Sequence, residues 1–283
     1  GGHSHTELHR PVYKEAGHAW EEVDKKSPIV QTGKHAENLG SLRLDLSNKD
    51  LRIRDYHLIP VVDQERAGSV ASLIREARED LNDLYGKKWL QRRVGRSSIN
   101  PKNNNGMEVW AQFVSDALRE SIHTDVGVHQ PNMVGPNFPV GDITREDLLN
   151  AHPRFFEFKN HKGWKVHKVK VRGLFIRAVV KVAMNFNLPL SFSGIDFDWV
   201  ELPWGEYIVH DVRIKGERIN PFKLYSMALP EGIVRGAKEV SKFTRWLFKK
   251  SKSTPHLIIG AVEDKLRREG GVGNHYLKRR EKG

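Results

Sequence analysis

Cysteine is absent from all 283 residues, which excludes a disulfide framework, thiolate zinc sites and cysteine nucleophiles. Any metal held by this chain must use His, Asp, Glu, Asn or Gln. No apolar run approaches the roughly 18 residues that a membrane-spanning helix needs, and neither an internal repeat nor a low-complexity segment is visible. Acidic residues are also scarce relative to basic ones. Lys plus Arg number 47 against 35 for Asp plus Glu, a net charge of +12, and an excess of this kind suits an acidic or phosphate-bearing partner. It is unevenly placed: Gly232 to Gly283 holds 14 basic and 5 acidic residues, so most of the charge marks that segment. With 38% hydrophobic and 29% charged residues, the composition is globular and long enough for one large or two ordinary domains. The chain opens on Gly-Gly-His with no charged and apolar leader, so a signal peptide is neither visible nor excluded, and it reads as the C-terminal part of something longer.

Hydrophobic periodicity divides the sequence. Ile29 to Gln31, Leu39 to Leu46 and Leu51 to Val62 read as short strands, with Asn48-Lys-Asp50 as the turn between the last two. From Gln64 to Gln91 the apolar residues fall at three-and-four spacing, a long amphipathic helix followed by the polar stretch Ser97 to Gly106. A second region begins with a helix at Met107 to Ser121 and a strand at Asp125 to His129, then a proline- and glycine-rich loop over Gln130 to Gly141. Thr144 is placed to cap a helix at Arg145 to Asn150. Strands follow at Phe155 to Phe158, Trp164 to Val171, Gly194 to Val200, Tyr207 to Lys215 and Leu224 to Leu229, with a helix at Leu174 to Phe186. Ile233 to Lys249 and His256 to Glu269 read as basic helices. Strands and helices mixed at this spacing indicate an α/β (α+β) fold.

The most informative residues come first. In Gly1-Gly-His-Ser-His-Thr6 two imidazoles sit two residues apart, and the glycines allow close backbone approach, so both rings can be aimed at one metal cluster. An exposed polar turn is the other reading of the same hexapeptide.

Taken with Pro28-Ile-Val-Gln-Thr-Gly33 and Leu39-Gly-Ser-Leu-Arg-Leu-Asp45, this hexapeptide resembles the end of the metallophosphoesterase domain of the 5'-nucleotidase family, whose members also include 2',3'-cyclic phosphodiesterases. Val109 to Arg119, Gly141 to Leu149 and Val212 to Ala228 resemble successive blocks of the family's C-terminal domain, in the family's order. The resemblance covers about residues 1 to 230. It implies the last strands of a four-layer metallophosphoesterase domain followed by a substrate-binding domain, and two divalent metal ions that polarise phosphorus and supply hydroxide near neutral pH. It implies that His3 and His5 are metal ligands. The other ligands of such a site lie in motifs that this sequence does not contain, so no catalytic residue is assigned and the fragment by itself is expected to be inactive. It further implies a nucleotide or other phosphate ester as substrate, a catalytic domain N-terminal to this region as partner, and a periplasmic or secreted location.

Three departures fall in the loops that the resemblance assigns to the organic part of the substrate. The expected Gly-Gly-x-Arg is Asn132-Met-Val-Gly-Pro-Asn137, the expected Pro-Phe-Gly-Asn is Pro153-Arg-Phe-Phe156, and a Gly-Gly-Asp loop is replaced by Pro230-Glu-Gly-Ile-Val-Arg-Gly236. Asn132, Arg154 and Phe155 are the candidates that still meet a ligand, although Phe155 also reads as a core residue of its strand and Arg154 as a surface charge. His152, Trp199 and Trp204 are explained without a ligand, as a hydrogen-bonded histidine and buried aromatics.

The expected organisation is the end of a metallophosphoesterase domain over 1–63, a linker helix and loop over 64–106, the 5'-nucleotidase C-terminal-like domain over 107–230 and a basic helical extension over 231–283. In that extension Ile233, Ala237, Val240, Phe243 and Leu247 line one helical face. Such a helix packs on its own domain, the favoured reading, or lies on an anionic surface. The same scaffold as a non-catalytic binding module for an anionic partner is the alternative to an enzyme.

Overall fold

The structure, a computed structural model, describes residues 6–12, 28–33, 37–46, 52–62, 68–99, 106–131, 140–152, 163–185, 190–240, 242–273 and 276. The chain divides into two compact units, Gly1–Ala77 and Arg78–Gly283.

In the first unit, β1 (Asn38–Asp45) and β2 (Arg52–Pro60) pair antiparallel, from Asn38 opposite Pro60 to Asp45 opposite Arg52. Both strands were expected; the turn at Asn48 to Asp50 lies outside the described residues. The strand expected at Ile29 to Gln31 takes the form of isolated bridges instead, Ile29 with Val12 and Thr32 with Glu7, supported by a hydrogen bond from Leu8 N to Gln31 O at 3.0 Å. No residue of β1 or β2 is buried. A two-stranded ribbon has no second layer of its own to bury a face against. Helix α1 (Gly68–Tyr85) is shorter than expected because Gly86, at φ 95°, adopts the left-handed conformation that ends helices.

The second unit follows as β3 (Arg93–Ser97), α2 (Gly106–Ser121), β4 (Val126–His129), β5 (Gly141–Thr144), α3 (Arg145–Asn150), β6 (Lys165–Arg172), α4 (Gly173–Asn185), β7 (Ser191–Ser193), β8 (Ile195–Glu201), β9 (Tyr207–Ile214), β10 (Glu217–Arg218), β11 (Leu224–Pro230), α5 (Glu231–Val240), α6 (Lys242–Phe248), β12 (Lys252–Leu257) and α7 (Ile258–Glu269). This is the mixed α/β architecture expected. A five-stranded sheet in the order β12-β6-β11-β4-β7 forms its centre. Strands β8, β9 and β10 make a second sheet, and β3 pairs with β5. Alternation along the central strands supplies two cores. Ala228 and Val166 join α2, α3 and α7 in one cluster, while Met227, Leu229, Val169 and Val171 join α4 and β9 in the other.

Helix α2 is buried nearly all round: Trp110, Phe113, Val114 and Leu118 are fully inaccessible. It can lie this close to β4 because Gly127 has no side chain; a Cβ there would sit 2.2 Å from the Ser115 carbonyl oxygen. Helix α3 begins with the expected cap. Thr144 Oγ1 accepts from Asp147 N at 3.2 Å, and Asp147 Oδ2 accepts from Thr144 N at 2.8 Å, a reciprocal capping box. The β9–β10 hairpin turns through Lys215 and Gly216, both at positive φ (56° and 79°), the conformation that matches strand twist in a two-residue turn.

Three expectations are corrected. The long helix at Ile233 to Lys249 is two helices, α5 and α6, although Ile233, Leu247 and Phe248 do pack against the second core. The helix expected from His256 starts at Ile258, and the preceding residues form β12 on the sheet edge, where Pro255 deprives no interior ladder of a donor. No element was expected between the helix ending at Gln91 and the polar stretch from Ser97, where β3 forms and carries a ladder with β5. Ile258, Val262, Leu266, Val272 and Tyr276 all belong to the first core, so residues read as a basic extension contribute an edge strand and a core helix.

Candidate functional site

Strands β4 and β11 are the parallel pair of the central sheet, with Met227 opposite Val126 and Ala228 opposite Gly127. Their carboxyl ends therefore lie side by side on one edge of the sheet. Strand β4 ends at His129, which is fully buried and paired with Ser191 of β7. His152, just past α3, is equally buried, and its Nδ1 lies 3.1 Å from the Leu148 carbonyl oxygen. Burial first, and then the charge of His152, pushes the His129 imidazole down to about 3. Burial pushes His152 down to about 4 against the opposing bond to Leu148. Both rings are neutral at physiological pH, and each stands a few residues before a segment bearing candidate ligands: Asn132 after His129, and Arg154 and Phe155 after His152. Those three residues lie outside the described residues, as do His3 and His5. The hydrogen-bonded reading of His152 holds. His129 was missed, because nothing in a strand-terminal histidine's sequence separates a buried ring from an exposed one.

The third departure has a visible cause. Strand β11 runs directly into α5, so Pro230-Glu-Gly is a strand-to-helix junction rather than a loop. Gly232 sits against the Trp164 ring, where a Cβ would be 2.2 Å from two ring carbons. Glu231 accepts from Lys165 N at 3.0 Å and from Arg235 Nη2 at 2.6 Å. Burial lowers the His167 pKa, and Lys238, Arg235 and Lys165 push the same way against Glu231. Three cations thus act on His167 against one carboxylate, and Arg235 is itself paired with that carboxylate.

Among the described residues no group of three or more His, Asp or Glu side chains could hold a metal ion, and a pair of divalent ions needs carboxylates as well as imidazoles. No catalytic step follows from this edge. The expectation of two buried tryptophans is corrected for Trp204, which is 72% exposed at the β8–β9 tip, and Trp199 is also accessible. Trp204 borders an open cavity of about 400 Å³ with Lys181, Val182, Asn185 and Glu206.

The family model for the 5'-nucleotidase, C-terminal domain, matches residues 91–245. The chain belongs to the 5'-nucleotidase C-terminal domain family. Among solved structures it is similar to a 5'-nucleotidase precursor from Thermus thermophilus, at 13% identity and TM-score 0.61, over 87% of this chain and 50% of that one. It is also similar to the sulfate thiohydrolase SoxB of Thermus thermophilus in complex with glycerol, at 18% identity and TM-score 0.58, over 96% of this chain and 47% of that one. At such identities the likeness shows the fold. The chain spans about half the length of these structures. No curated protein sequence matches it. In this member of the 5'-nucleotidase C-terminal domain family, β12 and α7 lie beyond the matched residues yet complete the sheet and one core. No helix of the described residues is long and apolar enough to cross a membrane.

Proposed function

We propose that this chain is the substrate-specificity part of a metal-dependent phosphoric ester hydrolase acting on nucleotides or related phosphate esters. The observation that carries this reading is the match of residues 91–245 to the 5'-nucleotidase C-terminal domain, supported by the three cations Lys165, Arg235 and Lys238 that act with one carboxylate, Glu231, on His167 at the β11–α5 junction. In this reading Arg154 and Asn132 hold the substrate's polar groups and Phe155 stacks on its organic part, while the junction at Gly232 closes the side where a loop would admit a base. His3 and His5 supply the last metal-ligand motif of a site whose carboxylates lie on the missing catalytic domain. The exposed apolar residues of the first ribbon, among them Leu39, Leu44 and Ile59, pack against that domain. The protein acts outside the cytoplasm, as its family does by resemblance.

The test is phosphate release by the full-length protein from a panel of nucleotides and sugar phosphates, with metal content measured in parallel. His3→Ala and His5→Ala are expected to lower both by more than about tenfold, the loss that even outer-shell partners of a metal site produce. Arg154→Ala is expected to raise KM with metal content unchanged. Unaltered metal occupancy in both histidine variants, or no phosphate release from any substrate, overturns the reading.

A further inference from the structure

Helix α4 turns a mixed apolar and basic face to solvent. Its buried residues, Gly173, Ile176, Val180 and Ala183, follow helical spacing. On the opposite side Leu174 and Val182 are 54% and 44% exposed, with Arg177 and Lys181 exposed between them. Around the helix start, Gly173 N donates to Lys223 O and Leu174 N donates to Pro221 O, both at 3.0 Å. These bonds set Phe222, 78% exposed, and Leu224, 57% exposed, beside Leu174. On the flank of α4 the Phe175 ring meets Trp246 edge-on with centroids 6.1 Å apart, and Trp246 is itself 61% exposed.

Single exposed apolar side chains are ordinary, but a contiguous group with two aromatics marks an interaction surface. Its charge identifies the partner. In the three segments that build this face, Arg172 to Lys181, Ile219 to Leu224 and Lys242 to Lys250, all eight charged residues are basic, and Glu206 borders only the far end of α4, beside Lys181 and Val182. A second copy of the chain would bring like charges together across the contact. A nucleic acid has phosphates for the cations and bases for the rings, but nothing apolar to receive Leu174, Leu224 and Val182. A bilayer surface has all three: phosphate headgroups, an interfacial zone that favours tryptophan, and acyl chains just beneath.

We propose that the face formed by α4, the Pro221–Leu224 turn and α6 docks on the anionic headgroup layer of a phospholipid bilayer. Trp246, Phe222 and Leu174 enter the interface, and Arg177, Lys242, Arg245 and Lys249 lie against headgroup phosphates. Thirteen helical residues give α4 a length of about 20 Å, enough to lie in the interface plane. This docking is independent of what the protein hydrolyses.

The probe is vesicles of phosphatidylcholine alone or mixed with phosphatidylglycerol, sedimented with the 283-residue chain across a range of salt. Binding to the anionic vesicles is expected, weakening as salt rises. The triple variant Lys242→Gln, Arg245→Gln, Lys249→Gln should lower the partition coefficient by roughly a hundredfold, since each cation at such a surface contributes a factor of about five. Phe222→Ala with Trp246→Ala should lower it by at least about tenfold with far-UV circular dichroism unchanged. Because a double variant can lose its fold, wild-type tryptophan quenching by bromine-labelled lipid is measured beside Trp246→Phe, which should lose much of it. Equal partition to both vesicle types overturns the proposal. So does aromatic-independent binding that heparin or an oligonucleotide competes away, which would make the face a general polyanion surface.

Discussion

Arg145 and Glu263 meet across 118 residues of sequence as a two-pronged ion pair that ties α3 to α7. Arg145 Nε donates to Oε2 at 3.0 Å while Nη2 donates to Oε1. Nη1 donates to the Trp89 carbonyl at 3.1 Å, and the guanidinium lies 4.2 Å from the centroid of the Trp89 ring. The two side chains are only 11% and 16% exposed, so loss of one partner leaves the other poorly solvated. Burial alone would raise the Glu263 pKa, but the bonds from Arg145 and Arg267 outweigh it and hold the carboxyl below its ordinary range. A depressed carboxylate contributes stability above its unfolded pKa, and that contribution disappears as pH falls through the folded value. Arg145→Ala is expected to cost about 2–4 kcal/mol at pH 7. Glu263→Gln should cost somewhat less, and its deficit relative to wild type should shrink below about pH 4 in urea titrations.

The buried histidines titrate in a different window. Both have folded pKa values below the usual 6.5, about 3 for His129 and about 4 for His152. The unfolded chain therefore takes up protons first as pH falls. Their contribution is complete above about pH 6.5 and is lost progressively down to about pH 4 for His152 and about pH 3 for His129, with each ring adding a slope of roughly 1.4 kcal/mol per pH unit. Urea midpoints at pH 7, 6 and 5 should decline steeply for the wild type and about half as steeply for His152→Gln. An unchanged slope in that variant would place the sensitivity elsewhere.

The elements that periodicity and local chemistry specify were legible. Helices α2 and α4 show their apolar spacing in sequence, and Thr144 with Asp147 announces the start of α3. Strand β12 was not, because Lys-Ser-Thr-Pro-His-Leu has no alternation and pairs with β6 at Lys252, Ser253 and Leu257 around an irregularity. Charge misled for a physical reason. Lys265 counts toward a solvated basic end, yet it is 2% exposed, lies over the Phe113 ring and donates to Glu120 at 2.9 Å and Glu269 at 2.5 Å. Composition cannot separate a cation in water from one whose partner Glu120 sits 145 residues away. At the site, the departure at Pro230 was legible as a change of residues, but its consequence, a helix seated on Trp164, depends on packing that no local pattern records.

Two glycines of α5 make that packing testable. A Cβ at Gly232 would collide with Trp164, whereas one at Gly236 meets nothing within 4 Å. Gly232→Ala is expected to lower stability by about 1–3 kcal/mol despite the better helix propensity of alanine. Gly236→Ala should raise it by about 0.5–1 kcal/mol, because only the propensity term changes. Denaturant midpoints that move in the same direction in both variants would contradict the seating of α5 on Trp164.

Tyr276 tests whether the residues beyond α7 belong to the domain. Its ring meets Phe113 edge-on with centroids 5.5 Å apart, its hydroxyl donates to Glu269 at 3.1 Å, and it is 3% exposed. The chain reaches this point along β3: Arg96 N donates to Gly270 O at 3.0 Å, and Val272 N donates to Arg96 O at 2.8 Å. Burial foremost, then the Asp116 and Glu269 charges, raises the phenol pKa, so the hydroxyl stays a donor throughout the physiological range. Tyr276→Phe removes that donor alone and should cost about 1 kcal/mol. Tyr276→Ala also opens a cavity against Phe113 and should cost about 3–5 kcal/mol, a large share of the roughly 5–15 kcal/mol typical of a domain. If Tyr276→Ala unfolds at the wild-type denaturant midpoint, the core ends before this residue and the segment after α7 is an appendage.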